Sequence, residues 1–276
     1  MRLHVDGALR TGRAVDCTDL DVTAGAVVDA VGGDGEAIAV DCPEPGHVHE
    51  YVGLVRPGRS VRIRSALAAV ARERGLAAPQ DDELAAVREE LASLAVPEAD
   101  VAGARERLAA VDEDELARLR EDVAARRGAV QARLALDADV EPAREALSAA
   151  VAELSDAQMD RVAAEQTLDR ARERARTARA KRRERLRLQD RAGNLQRAAS
   201  EHLAGTLRGE FAAAIEAVPG EGRVPGAPTS FEGDPATAAM AVARLADLRA
   251  PVVLAGRWFA SAYAAADRLG APVVRL

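Results

Sequence analysis

The chain has 276 residues, of which 48% are hydrophobic but only 2% aromatic, so alanine, valine and leucine must carry the apolar surface. Such a composition favours thin helical structures over a thick globular core. The net charge of −7 includes a single lysine, Lys181, set in Ala180-Lys181-Arg182-Arg183. A glycine-lysine phosphate loop of the standard ATPase kind is therefore excluded, and a Schiff-base lysine in a buried pocket is not expected.

Residues 1–76 are predicted to be the N-terminal half of a small α/β head. Short β-branched runs bounded by glycine, proline or aspartate place strands at Arg2–Val5, Arg13–Cys17, Ala37–Val40 and His49–Val55. Helices are expected over Val22–Val31, stopped by Gly32-Gly33, and over Val61–Arg74, with Ser60 as N-cap and Gly75 as stop.

Residues 77–218 read as a helical, coiled-coil arm. Asp81-Asp82-Glu83 opens its first helix with negative charge, as the macrodipole favours, and Pro97 ends it. A second helix is expected from Asp100 to Leu136, with Leu108, Val111, Leu116, Leu119, Val123, Val130 and Leu134 facing inward. Residues 137–142 read as a turn, and a helix from Pro142 to Val218 would be about 110 Å long at ~1.5 Å per residue. Its imperfect heptad of leucine and alanine needs a partner, which the turn near residue 139 supplies by folding the chain back. Gly193, Gly205 and Gly209 mark the weak points of that helix.

Residues 219–233, rich in glycine and proline, read as a linker. Residues 234–276 follow as α-β-α-β, the C-terminal half of the head. Asp234-Pro235 is a cap followed by a first-turn proline, and the strands Pro251–Ala255 and Pro272–Leu276 flank a helix at Phe259–Leu269. Such strands should pair in parallel. Each end is too small to bury a core alone, so both are expected to join in one head. The predicted fold is thus mainly α, a long antiparallel helical hairpin projecting from a small α/β head formed by both termini. Trp258 and Phe259 should anchor its core, with Tyr51, Tyr263 and Phe231.

Between Asp169 and Arg191 stand ten arginines and one lysine against four acids, a net charge of +7. Residues 81–125 carry fourteen acids and five arginines, net −9. In a hairpin, residues 95–112 would lie opposite 166–183, so the run could be neutralised internally. Otherwise Arg170, Arg172, Arg174, Arg176, Arg179, Lys181, Arg182, Arg183, Arg185 and Arg187 are candidates for an acidic protein or for nucleic acid, whose phosphates arginine neutralises. Arg56, Arg59, Arg62 and Arg64, around a helix start, are further anion candidates. Cys42, His47 and His49, joined by Cys17 and His4, are candidate zinc ligands, although their spacing matches no standard finger. No catalytic residues stand out, and no cofactor is expected.

The stretches Cys42-Pro43-Glu44-Pro45-Gly46-His47-Val48-His49-Glu50-Tyr51-Val52-Gly53 and Arg62-Ile63-Arg64-Ser65-Ala66-Leu67-Ala68-Ala69-Val70-Ala71-Arg72-Glu73-Arg74-Gly75 resemble an uncharacterised coiled-coil family of haloarchaea. The resemblance spans most of the chain and implies no activity. The head–hairpin–head layout is also similar, in topology alone, to the SMC and Rad50 class of chromosome proteins. Their ATP-binding lysine, signature motif and acidic pair have no counterpart here.

These features predict a non-enzymatic coiled-coil scaffold or interaction protein with a protein partner, a second copy of the chain being one option. The alternative is an arginine-rich nucleic-acid-associated protein without ATPase activity. A third reading is an enzyme with a pocket in the α/β head. With neither a signal-peptide core nor a run of the ~18 apolar residues a bilayer requires, no membrane association and a cytoplasmic location are expected.

Overall fold

A computed structural model describes residues 1–5, 8–35 and 38–276. Ala37, expected to begin a strand, lies outside them. The chain is mostly helical and divides into two compact units: residues 1–87 with 191–276, and residues 88–190.

The first unit begins with β1 (Arg2–Val5), β2 (Ala8–Thr11) and β3 (Ala14–Asp16). Helix α1 (Ala24–Val31) follows, capped by the Thr23 hydroxyl, and then β4 (Ile38–Asp41). The predicted strand His49–Val55 is instead a single helical turn, α2 (His49–Val52), followed by β5 (Leu54–Val55). The turn brings the His49 ring inward, where Nε2 donates to the Pro251 carbonyl at 2.9 Å and satisfies a buried imidazole. A side chain at Gly53 would strike that ring. Helix α3 (Ile63–Glu73) starts later than expected, with Arg62 rather than Ser60 at the cap position and no side-chain cap.

Four helices come next in the chain: α4 (Asp81–Ser93), α5 (Val101–Ala109), α6 (Glu113–Ala135) and the 66-residue α7 (Glu141–Thr206). At ~1.5 Å per residue α7 is roughly 100 Å long. The helix expected from Asp100 to Leu136 is split because Asp112 caps a new one, accepting from the backbone N–H groups of Asp114 and Glu115. The helix expected to reach Val218 stops at Thr206, between Gly205 and Gly209, and restarts as α8 (Arg208–Ala217).

The predicted linker contains a two-stranded antiparallel ribbon, β6 (Gly222–Arg223) with β7 (Glu232–Gly233). Gly233 has φ +149°, and a side chain there would collide with the Glu221 carbonyl, so the close approach of the two strands requires glycine. The chain ends with α9 (Pro235–Leu245), β8 (Val252–Leu254), α10 (Ala262–Leu269) and β9 (Val273–Arg275). Asp234 caps α9 with Pro235 in its first turn, and Ser261 caps α10.

Two sheets organise this unit. One is antiparallel, in the order β2-β1-β4. The other, β3-β9-β8-β5, is parallel and takes two strands from each end of the chain, with Val15 opposite Val274 and Leu54 opposite Val253. Both faces of the parallel sheet are covered, so its central strands are apolar except for Arg275 at the end of β9. Val15, Val253 and Val274 pack toward β1, α1 and β4, whereas Val252, Leu254 and Val273 pack toward α3, α8 and α9. Helix α9 is buried from Ala236 to Ala243 without interruption and forms the axis of the larger core.

The fully buried aromatic ring is Phe211, with Phe231 at 6.3 Å between centroids. Trp258, Phe259 and Tyr51 pack only partly against the core, and Tyr263 is 79% exposed, contrary to the expectation that it anchors the interior. At the sheet's end Arg275 Nη1 donates to Asp16 Oδ2 at 3.0 Å. Burial pushes the Asp16 carboxyl up, but hydrogen bonds from Thr18 and Arg275 outweigh it and hold the group below the usual carboxylate range.

In the second unit, Ala104 of α5 packs on Leu168 and Ala171 of α7, with Val101 and Leu108 alongside. Leu116 and Leu119 of α6 are buried, but Leu134 beyond them is 52% exposed, against expectation. Arg126 reaches the Ala146 carbonyl at 3.3 Å, Arg161 reaches Glu113 at 2.6 Å, and Arg185 reaches the Leu94 carbonyl at 3.2 Å. Asp137, between α6 and α7, has φ +50°, a conformation aspartate tolerates better than most residues.

Candidate functional site

The proposed zinc ligands are not brought together. His49 is held by Pro251, His47 Nδ1 lies 3.2 Å from Glu50 at the surface, and His4 is exposed. Cys17 is buried in the core between α1 and the sheets, and burial pushes both its thiol and that of Cys42 up, away from the thiolate that binds metal. Among the described residues no three His, Cys, Asp or Glu side chains gather as a metal site.

The arginine run has a different geometry. Asp169–Asp190 lies on the part of α7 within the second unit, and most of its cations are exposed. Three arginines pair with acids one turn earlier: Arg172 with Asp169, Arg176 with Glu173 and Arg187 with Glu184, at 3.0–3.4 Å. Such exposed pairs on one helix contribute only about 0.3–0.5 kcal/mol each. Arg170 reaches Gln166, and Arg185 a backbone carbonyl. Among the described residues, Arg174, Arg179, Lys181, Arg182 and Arg183 have no carboxylate partner.

Glu83 meets the end of the run, accepting from Arg191 at 2.6 Å, whereas other acids of residues 81–125 pair elsewhere. Asp100, for example, caps α5 and lies 3.9 Å from Arg107, on its own side of the Ala104–Leu168–Ala171 seam. The small apolar seam joins the helices and leaves their charges on the outer faces. A cross-helix ion pair joins Arg161 to Glu113 before the run begins, and Glu165 and Glu113 push the guanidinium still higher.

Of the other anion candidates, Arg56 and Arg59 are exposed in the loop before α3. The Arg62 guanidinium lies 5.6 Å from the centre of the Tyr51 ring, and Arg64 contacts Glu201 at 3.5 Å. Sequence reasoning did not connect Arg64 with Arg72 and Arg197, although the three line one cavity of the first unit. The positions are far apart in the chain, and no local pattern joins them.

No helix among the described residues is long and apolar enough to cross a membrane. No curated protein and no solved structure matches the chain. A family model does match, over residues 12–273, almost the whole length described above. The chain therefore belongs to the Family of unknown function (DUF7856).

Proposed function

We propose that the second unit is an antiparallel helical hairpin and that the protein is a non-enzymatic coiled-coil scaffold, working through self-association of that hairpin. The contacts from Arg126 to Ala146, Arg161 to Glu113 and Arg185 to Leu94 support the hairpin, because position numbers rise along α7 as they fall along its neighbours. The observation that carries the scaffold reading is a stripe left uncovered on α7. Val151, Met159 and Val162 are 46%, 63% and 48% exposed, spaced to share one helical face with Ser155 and Gln166. A second copy fits this stripe, since a −9 stretch and a +7 stretch on each chain give two hairpins matching charges to exchange. Sedimentation velocity at tens of micromolar should give twice the chain mass for the wild type, and the chain mass for a Met159→Glu, Val162→Glu double variant. A monomeric wild type would end this reading.

The five cations without carboxylate partners favour a second reading, that the run holds nucleic acid by its phosphates. Duplex DNA binding should then weaken steeply with salt. Changing Arg179, Lys181, Arg182 and Arg183 together to glutamine should flatten the log–log salt slope by up to ~4. Absence of binding at about 50 mM salt would exclude it.

A further inference from the structure

In the first unit, α3 and the last turns of α7 enclose a cavity of about 320 Å³. Its floor includes Ala68 and Ala69, buried residues too small to fill the space between the helices. Arg64, Arg72 and Arg197 line its walls with Ser65 and Ser200. Tyr51 and His47 close another side, their rings edge to face at 5.5 Å.

Among the described residues no carboxylate lines this cavity. The acids that contact its cations stand outside the lining: Asp81 with Arg72 at 2.7 Å, and Glu201 with Arg64 at the longer distance of 3.5 Å. Glu50, the contact of His47, is likewise not part of it. Among the described residues Arg197 hydrogen-bonds the Asn194 side chain and the Gly193 carbonyl of its own helix and pairs with no acid. Three guanidinium groups and the Ser65 hydroxyl around one hollow form a donor set suited to a tetrahedral oxyanion, which arginine forks grip through paired hydrogen bonds, whereas the Ser200 hydroxyl already donates to the Gln196 carbonyl at 2.8 Å. The volume lies at the lower end of small-ligand pockets.

We propose that this cavity binds the phosphate group of a small phosphorylated molecule, with Arg64 and Arg197 as the principal phosphate ligands and Arg72 held in place by Asp81. The site is independent of the arginine run in the second unit and of any self-association.

Calorimetric titration of the full chain at low salt, with inorganic phosphate, pyrophosphate and sulfate as probes, tests it. Saturable one-to-one binding of pyrophosphate is expected, tighter than sulfate, with phosphate distinguishing a free-anion site from one that needs a phosphate chain. Arg197→Gln and Arg64→Gln should each weaken it about tenfold or more, the loss of one charge-assisted hydrogen bond. Arg183→Gln, on the other unit, should leave it unchanged. Among the described residues Arg197 makes no hydrogen bond or ion pair outside its own helix, so Arg197→Gln should unfold near the wild-type temperature, which separates lost binding from lost folding. The proposal is overturned if no probe gives a saturable heat, if sulfate binds as tightly as pyrophosphate, or if both arginine variants bind like the wild type.

Discussion

Replacing Phe211 by alanine should lower the unfolding free energy of the first unit by about 3–5 kcal/mol. Phe211 has no exposed surface, and it packs in the same core as Leu207, Ile215 and α9, with Phe231 beside it. In a chain with three phenylalanines and one tryptophan, no other large ring is fully buried to fill the space it would leave. The loss combines the transfer of the ring from apolar surroundings with a cavity among short side chains that cannot reach across it. A domain's total stability is of order 5–15 kcal/mol, so this one change consumes a large share. Urea unfolding should show a clear drop in midpoint, whereas Leu136→Ala, at a position 79% exposed, should shift it by less than ~0.5 kcal/mol. Equal midpoints for the two variants would refute the placement of the core.

The second large effect is expected at α9. Ala241 has no exposed surface on a helix buried on every side, so Ala241→Glu places a carboxylate where no cation waits. At neutral pH the cost should be about 3–5 kcal/mol, the scale of an uncompensated buried charge. Burial raises the carboxyl's pKa in the folded state above its unfolded value near 4.3. The unfolded chain therefore gives up its proton first as pH rises. The deficit relative to wild type should be smallest below about pH 4 and grow with pH until the folded-state group also ionises. Chemical denaturation of both proteins from pH 4 to pH 8 measures it. A pH-independent difference would mean that the side chain escapes to water.

Why some of this was legible in the sequence, and some not, follows from the range of the forces involved. Arg2–Val5 alternates between the two faces of its sheet, and Asp234-Pro235 is a local capping device, so both declare themselves within a few residues. The same is true of the twin valine strands β8 and β9. The strand Ala8–Thr11 was missed because no residue in it is buried, leaving no pattern to read. His49–Val52 misled because its β-branched and aromatic character suits a strand. As a helical turn it buries the His49 ring against a distant carbonyl, that of Pro251, which no local pattern announces. At Asp112 the signal was present, a cap followed by three acids, but the apolar period running through Leu108, Val111 and Leu116 masked it. The arginine run was plain in the sequence. Which of its cations meet an acid was not: among the described residues Arg191 reaches Glu83 on another helix, whereas Arg174, Arg179, Arg182 and Arg183 have no carboxylate partner, and that depends on how the helices are turned toward one another. The cavity was beyond reach altogether, since its arginines come from α3 and α7 and meet only in three dimensions.

The parallel sheet that draws strands from both ends of the chain also bears on synthesis. β5, ending at Val55, pairs with β8, which begins at Val252. On a ribosome adding ~5–20 residues per second, the early strands must wait roughly 10–40 s for the strands that will cover their hydrogen-bonding edges. Until then their valines are exposed to other nascent chains, while the helices of the second unit can already form from near neighbours in the sequence. β3 and β5 are thus made early and secured late, and loss of β8 and β9 would leave both without a pairing strand, while β1, β2 and β4 could still pair among themselves.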